Sequence, residues 1–426
     1  MPFPEKKRSY SRQHAHKLQM LPVWPIIILL YVTFSFGAPE SGIPLSLILA
    51  TCISFFMLIK LKFRLQKRYM GFVGLMYLGY FLGTVVAVFN SNIDLSSFLN
   101  LTISSILFVV VASYCGSFTS IPTEELKKVS VTITGTILVL TAISIFEIFN
   151  YQDVFEIRNL IHGGNLIDYT ERDMREFDLM RPTAMYSEPS RFAQAMSILL
   201  AINFLVTQSV LRTGLLFIFF SLLIKSPMIL YGGPLICVIY FYSASSSKPQ
   251  QTPRAGVYSY VLLITVALLM LLFVGISQID RLFNVLSGQD GSFYARFGLP
   301  IIYMLGPWDN IWTGSGVTPQ IAIYEYINNL FLVGRSWLVG EDFRLAISPA
   351  LAAIIGMGVI GSSIFAISVM WLYRWMGIYY LIVFYGCSML ASGLNSISVF
   401  LPMAILFGIA TGLASRGADN YTRSNY

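Results

Sequence analysis

The strongest constraint on this chain is a recurrence of long apolar runs with the charges gathered between them. Twelve runs can be marked, at 22–38, 43–60, 70–89, 98–115, 130–149, 187–208, 212–224, 226–243, 256–276, 346–373, 375–392 and 395–413. A helix crossing the bilayer hydrocarbon needs roughly 20 apolar residues, with about 17–25 tolerated. In lipid the backbone must satisfy its own hydrogen bonds, which a helix does within one segment. Only 12% of residues are charged and 56% are hydrophobic, whereas soluble domains carry about 25% charged residues. The expected fold is an all-α polytopic membrane protein of about 12 transmembrane helices with two larger polar inserts. Residues 1–149 would hold helices one to five, 150–186 the first insert, 187–276 helices six to nine, 277–345 the second insert, and 346–426 helices ten to twelve.

An even number of spans puts both termini on one side, and basic residues in short loops mark the inside. The N-terminus carries Lys6, Lys7, Arg8, Arg12 and Lys17, and the loop after the second run carries Lys60, Lys62, Arg64, Lys67 and Arg68. Lys127, Lys128, Arg212, Lys248, Arg254, Arg374, Arg416 and Arg423 join that side. Both inserts then fall outside. The basic start followed by the apolar run 23–36 is read as an uncleaved first span, because Phe36-Gly37-Ala38 makes a poor cleavage site. Lys225-Ser226-Pro227 interrupts what could be one long kinked helix. Proline disfavours helical backbone at the residue before it, so a turn at Lys225 and two spans are expected.

The basic residues left for the outer side are of one type. Nine are arginine (Arg158, Arg172, Arg175, Arg181, Arg191, Arg281, Arg296, Arg335, Arg344), and Lys225 alone is lysine. Arginine offers a planar, permanently charged fork that matches phosphate and carboxylate oxygens. Arg158, Arg172 and Arg175 are expected to pair with the acids of the first insert (Asp153, Glu156, Asp168, Glu171, Asp173, Glu176, Asp178), while Arg181, Arg191 and Arg296 lie beyond that cluster. The four cysteines and three histidines show no metal-ligand spacing, so neither a metal nor another cofactor is expected. The positive balance bears on orientation and does not call for a nucleic-acid partner.

The stretch RPTAMYSEPSRFAQ at 181–194 places Arg181, Glu188 and Arg191 at the mouth of an apolar run. Ser187 can cap a helix, Pro189 suits a first turn, and an acid suits the positive helix end. Those preferences leave the two arginines unexplained, and ionisable groups at membrane level usually mark a site or its pathway.

This stretch resembles the Arg, aromatic, Ser-Glu-Pro-Ser, Phe-Ala segment of Wzy-type O-antigen and exopolysaccharide polymerases, relatives of the O-antigen ligases. SFYARFGLPIIYML with Arg296, then PWDNIWTGSGV with Gly314 and Gly316, is similar to the family's second-loop arginine helix and its Gly-x-Gly turn. IIGMGVIGSSI, with Gly356, Gly358 and Gly361, resembles the glycine-rich start of the next span. The resemblance implies polymerisation of undecaprenyl-pyrophosphate-linked oligosaccharide repeat units, without metal, at the periplasmic face of the bacterial inner membrane. Both termini would be cytoplasmic, and membrane lipid and a chain-length regulator would be candidate partners.

The residue types fit that chemistry. A departing pyrophosphate gathers negative charge, and fixed arginines stabilise it without reorganising. Arg181 and Arg296 are the catalytic candidates, with Arg191 and Lys225 binding substrate. An attacking sugar hydroxyl needs a proton acceptor within hydrogen-bond reach; Glu188 is the first choice and Asp309 the second. His162, in IHGGN, is a remote alternative. The ligases carry a histidine ahead of the glycine-rich span, where this chain has Ile347-Ser348, which disfavours a ligase. The aromatics of the second insert suit sugar stacking, but Trp and Tyr collect at any membrane interface. The rival class is a flippase or transporter of lipid-linked sugar. Carriers favour polar groups at the midplane, broken helices and repeated halves, whereas here the midplanes are nearly clean and Glu147 lies near a run's end.

Overall fold

The computed structural model describes residues 51–56, 59, 65–89, 95–116, 123–161, 170, 173–174, 180–186, 189–225, 229, 232, 236, 298–305, 311–316, 323, 349–388 and 397–423. Among them every regular element is helical. In chain order these are α1 (Lys67–Phe89), α2 (Leu95–Gly116), α3 (Thr123–Phe149), α4 (Tyr151–Ile161), α5 (Pro189–Thr207), α6 (Val210–Ile224), α7 (Leu299–Leu305), α8 (Pro349–Met376), a 3-10 turn (Gly377–Tyr379), α9 (Tyr380–Ser388) and α10 (Ile397–Arg423). The apolar runs at 22–38 and 256–276 lie outside the described residues, and those at 43–60 and 226–243 are described only in part.

Among the described residues two stretches are long and apolar enough to cross a membrane, Val129–Phe149 in α3 and Leu351–Cys387 across α8 and α9. Only 28% and 39% of their apolar windows are buried, whereas a core helix of a soluble protein would be mostly covered. Val131 and Phe149 stand 70% and 80% exposed. Hydroxyls inside α3 need no water, because each bonds back to the preceding turn. Thr134 donates to Ser130 O at 2.7 Å, Thr136 to Thr132 O at 2.9 Å, Thr141 to Ile137 O at 2.8 Å, and Ser144 to Leu140 O at 2.7 Å.

Helix α5 is apolar all round and its side chains from Phe192 to Leu205 are buried, which makes it a central post. Two of its polar side chains bond locally: Ser197 donates to Ala193 O, and Asn203 Nδ2 donates to Thr213 Oγ1 of α6 at 3.0 Å. Around α1, α2, α8 and α10 the core is aromatic. The Phe72 ring lies 5.6, 5.9 and 5.8 Å from Phe108, Phe365 and Phe407. Tyr69 meets Thr411 in a buried hydroxyl pair.

Cross-links orient the helices and define two ends. Arg68, at the start of α1, lies over the Trp375 ring at the end of α8. Arg212, at the start of α6, donates to Thr134 in the first half of α3. Tyr379 donates to Gln208 Oε1 at 3.1 Å. Arg68, Arg212 and Arg374 thus gather at one end, with Lys127 and Lys128 in the opening turns of α3 and Arg416 and Arg423 in the last turns of α10. Up α5 from Thr207, and up α8 from Met376, about 18 residues at 1.5 Å each place Pro189 and Gly358 roughly 27 Å away. Parts of both inserts lie at that far end: Arg181–Tyr186 leads into α5, and Ile311–Gly316 packs on α8.

The chain reverses at Lys225, which caps α6 in left-handed geometry (φ 47, ψ 44). Gly232 packs against Phe217 and Tyr385, although a continuous helix would hold residues 217 and 232 about 22 Å apart. The reading of two segments around Lys225 therefore holds over the single kinked helix. The run 346–373 was read as an uninterrupted span, and here the structure differs. Gly358 (φ 65, ψ −174) breaks α8.

Candidate functional site

The stretch at 181–194 begins as a turn and ends as a helix. Tyr186 N donates to Thr183 O at 2.9 Å, closing a turn in which Ala184 (φ 46) and Met185 (φ 78) both take positive φ. Such backbone costs about 1–3 kcal/mol per residue and persists only where its surroundings over-determine it. The surroundings here are Glu147, in the last turn of α3. Its carboxylate is fully buried and accepts four bonds: from Arg158 Nη1 (2.9 Å), Thr183 N (2.7 Å), Thr183 Oγ1 (2.6 Å) and Ala184 N (2.8 Å). Arg158, on α4, is 1% exposed, also bonds Thr183 Oγ1, and lies over the Phe155 ring at 5.2 Å. The end of α3, α4 and the turn before α5 are thereby clamped around one ion pair. Tyr186 is buried and packs on Phe192, 5.6 Å between ring centres, which sets the entry angle of α5.

From sequence Glu147 stands out only as an acid near a run's end, with no partner, and Arg158 is expected to pair with the acids of the first insert. The structure corrects that pairing, since Arg158 takes the carboxylate at the end of the preceding apolar helix. The available signal was a single acid within a run otherwise free of charge, where an ionisable residue needs a named partner. A second correction concerns Arg181. It was placed beyond the acidic cluster, yet its Nη2 bonds Asp173 Oδ1 at 2.8 Å with both side chains buried.

The remaining expected site residues divide as follows. Arg191 lies exposed in the first turn of α5, two residues after Pro189, where that helix starts as expected. Lys225 is half-buried at the end of α6 that faces away from the basic end. Glu188, Arg296, Asp309 and His162 lie outside the described residues.

Gly314 and Gly316 were expected to form a small turn in the second insert, and they form a strap across the break in α8. Ser315 N and Gly316 N donate to Ile355 O (3.0 Å) and Gly356 O (2.9 Å), two carbonyls just before the break. Val359 N and Ile360 N, the first amides after it, donate to Ile311 O (2.8 Å) and Trp312 O (3.2 Å). A helix end leaves such groups without intrahelical partners, and one six-residue strap takes up two carbonyls of one half-helix and two amides of the other. The approach is backbone to backbone. A Cβ on Gly314 would collide with Gly356 O, and one on Gly358 would collide with Gly314 N. Both glycines also have positive φ. On the other side Gly79 and Gly83 of α1 sit against the carbonyls of Gly361 and Gly356, so the backbones of α1 and α8 approach closely there, with the Met357 and Tyr80 side chains alongside.

The far end of the bundle thus carries a braced turn holding Arg181, an exposed arginine at a helix start, and an interrupted helix strapped by four backbone hydrogen bonds. Among the described residues no three His, Cys, Asp or Glu side chains group together. Comparisons of the chain with family models, with curated proteins and with solved structures find no match.

Proposed function

We propose that this chain is a membrane-embedded glycosyltransferase that polymerises undecaprenyl-pyrophosphate-linked oligosaccharide repeat units at the periplasmic face of a bacterial inner membrane. The observation that carries the proposal is the built turn at 181–186, held by Glu147 at the end of the bundle opposite the basic residues. A mere helix start would not need two buried ion pairs behind it. In the proposed reaction a hydroxyl oxygen of the incoming unit attacks the anomeric carbon of the growing chain. The bond from that carbon to the pyrophosphate oxygen breaks, and the electron pair leaves with the lipid pyrophosphate. Glu188 takes the hydroxyl proton, with Asp309 as the alternative acceptor. Arg181, Arg296 and Arg191, with Lys225, stabilise the charge gathering on the leaving group. Arg181 is already oriented by Asp173, so its fork would meet phosphate without further ordering. The Gly314–Gly316 strap would border the acceptor side. No metal is needed in this scheme, and a chain-length regulator is a candidate partner.

The second reading is a transporter of lipid-linked sugar. One observation favours it: the break in α8, since discontinuous helices are the rule in carriers. Against it, two carbonyls before the break and two amides after it are bonded to the strap, whereas carriers turn such groups toward substrate. The saccharide that accumulates on the lipid carrier in cells lacking the protein separates the two. Single repeat units exposed on the periplasmic face are expected. Units trapped on the cytoplasmic face would replace the polymerase with a flippase.

A further inference from the structure

A groove of about 440 Å³ opens on the outer surface between α1 and α8, lined by Gly71, Gly74, Leu75, Ile367 and Trp371. Its apolar walls follow from helical spacing. Gly71, Gly74 and Leu75 recur on one face of α1, and Ile367 and Trp371 on one face of α8. No atom lies within 4 Å of where a Cβ of Gly74 would be, so the glycine leaves an open notch beneath the Trp371 indole that covers Gly71.

The same two faces continue to the basic end. Lys67 precedes Gly71 by one turn on α1, and Arg374 follows Trp371 by one turn on α8. The level is shared, because Arg68 lies 5.5 Å from the Trp375 ring centre. Arg68 itself is engaged by Gln66 Oε1 and by the Tyr69 and Trp375 rings. Lys67 and Arg374 are exposed, and among the described residues neither has an acidic partner. An apolar trough with two cations at its mouth has the charge and shape complementarity of one phospholipid. We propose that the groove binds an anionic phospholipid of the leaflet at the basic end. One acyl chain lies over Gly71 and Gly74 against Trp371, and the headgroup phosphate sits between Lys67 and Arg374.

This site is independent of the proposed reaction and lies at the opposite end of the bundle, so failure of either leaves the other standing. The test uses the full-length protein purified in detergent and titrated with phosphatidylglycerol or phosphatidylcholine of equal chain length, with bound lipid counted by native mass spectrometry. A basic residue near an anionic headgroup contributes roughly fivefold in affinity, so two give a preference of about thirtyfold for phosphatidylglycerol. Lys67→Gln with Arg374→Gln should abolish that preference. Gly74→Leu, whose side chain enters open space, should reduce retention of both lipids while helicity stays unchanged. Equal retention of the two lipids by the unaltered protein, a preference that survives the double charge change, or undiminished binding in Gly74→Leu would overturn the assignment. So would stronger retention of a polyprenyl phosphate than of phosphatidylglycerol, which would make the groove a substrate port.

Discussion

Glu147 shows how one residue can organise a site it does not belong to. Removing its charge leaves Arg158 buried without a counter-ion, and breaking a buried pair costs about 3–5 kcal/mol. Glu147→Gln should therefore lower the thermal midpoint, read by the loss of helical circular dichroism. Adding Arg158→Met should recover a good part of the loss, because an uncompensated buried charge is worse than an apolar replacement. No recovery would mean that the bonds to Thr183 and Ala184, and not the ion pair, hold the turn. A separate residue-scale test addresses the chemistry. Lysine keeps the charge of arginine but loses its bidentate fork, so Arg181→Lys and Arg296→Lys should each cut polymer formation by about 10²–10³. Arg172→Lys, assigned to the acidic loop surface, should leave it unchanged. Glu188→Gln keeps the size and the helix start. Full-length polymer from that variant at normal protein levels would move the general base elsewhere.

At the level of the element, α8 and its strap form one unit. Gly358 holds a backbone conformation accessible essentially to glycine, and a Cβ there would meet the strap at Gly314 N and Thr313 C. Gly358→Ala should thus release the strap. Amide exchange at Ser315 and Gly316 should speed up markedly, and the protein should unfold at a lower temperature. Gly135→Ala is the matched control. It lies within α3 with nothing inside 4 Å of a Cβ, so alanine should leave stability unchanged or raise it by up to about 1 kcal/mol. Slow exchange at the strap in Gly358→Ala would show that α8 tolerates the break without it. The glycines themselves were visible in sequence as a Gly-rich helix start and a Gly-x-Gly turn. That they touch was not, because glycine spacing signals close approach without naming what approaches.

For the whole molecule, the arrangement of ends makes a topological prediction. Reporter fusions at about residues 165 and 320 should report the outer side, and those at about 65, 250 and 420 the inner side. Residue 320 inside with 165 outside would separate Arg181 from Gly314 across the bilayer, and the proposed site could not assemble. Activity of the purified protein should also survive chelation of divalent ions. Loss restored by one added ion would transfer the stabilisation of the leaving group from arginine to a metal.

Much of this architecture is local and so was present in the sequence. Apolar length placed the helices, and Pro189 and Lys225 placed a start and a reversal, because proline and left-handed backbone act within a few residues. The bias of Lys67, Arg68, Arg212 and Arg374 toward one end was also legible, since charge between apolar runs has nowhere else to go. What tertiary structure alone decided was the choice of partners. Glu147 takes Arg158 eleven residues on and Thr183 thirty-six residues on. Arg181 takes Asp173 out of seven nearby acids, and Ile311–Gly316 mends a break some forty residues away. Several pairings satisfy the same composition, and a buried charge or an orphaned amide accepts whichever partner packing brings within about 3 Å.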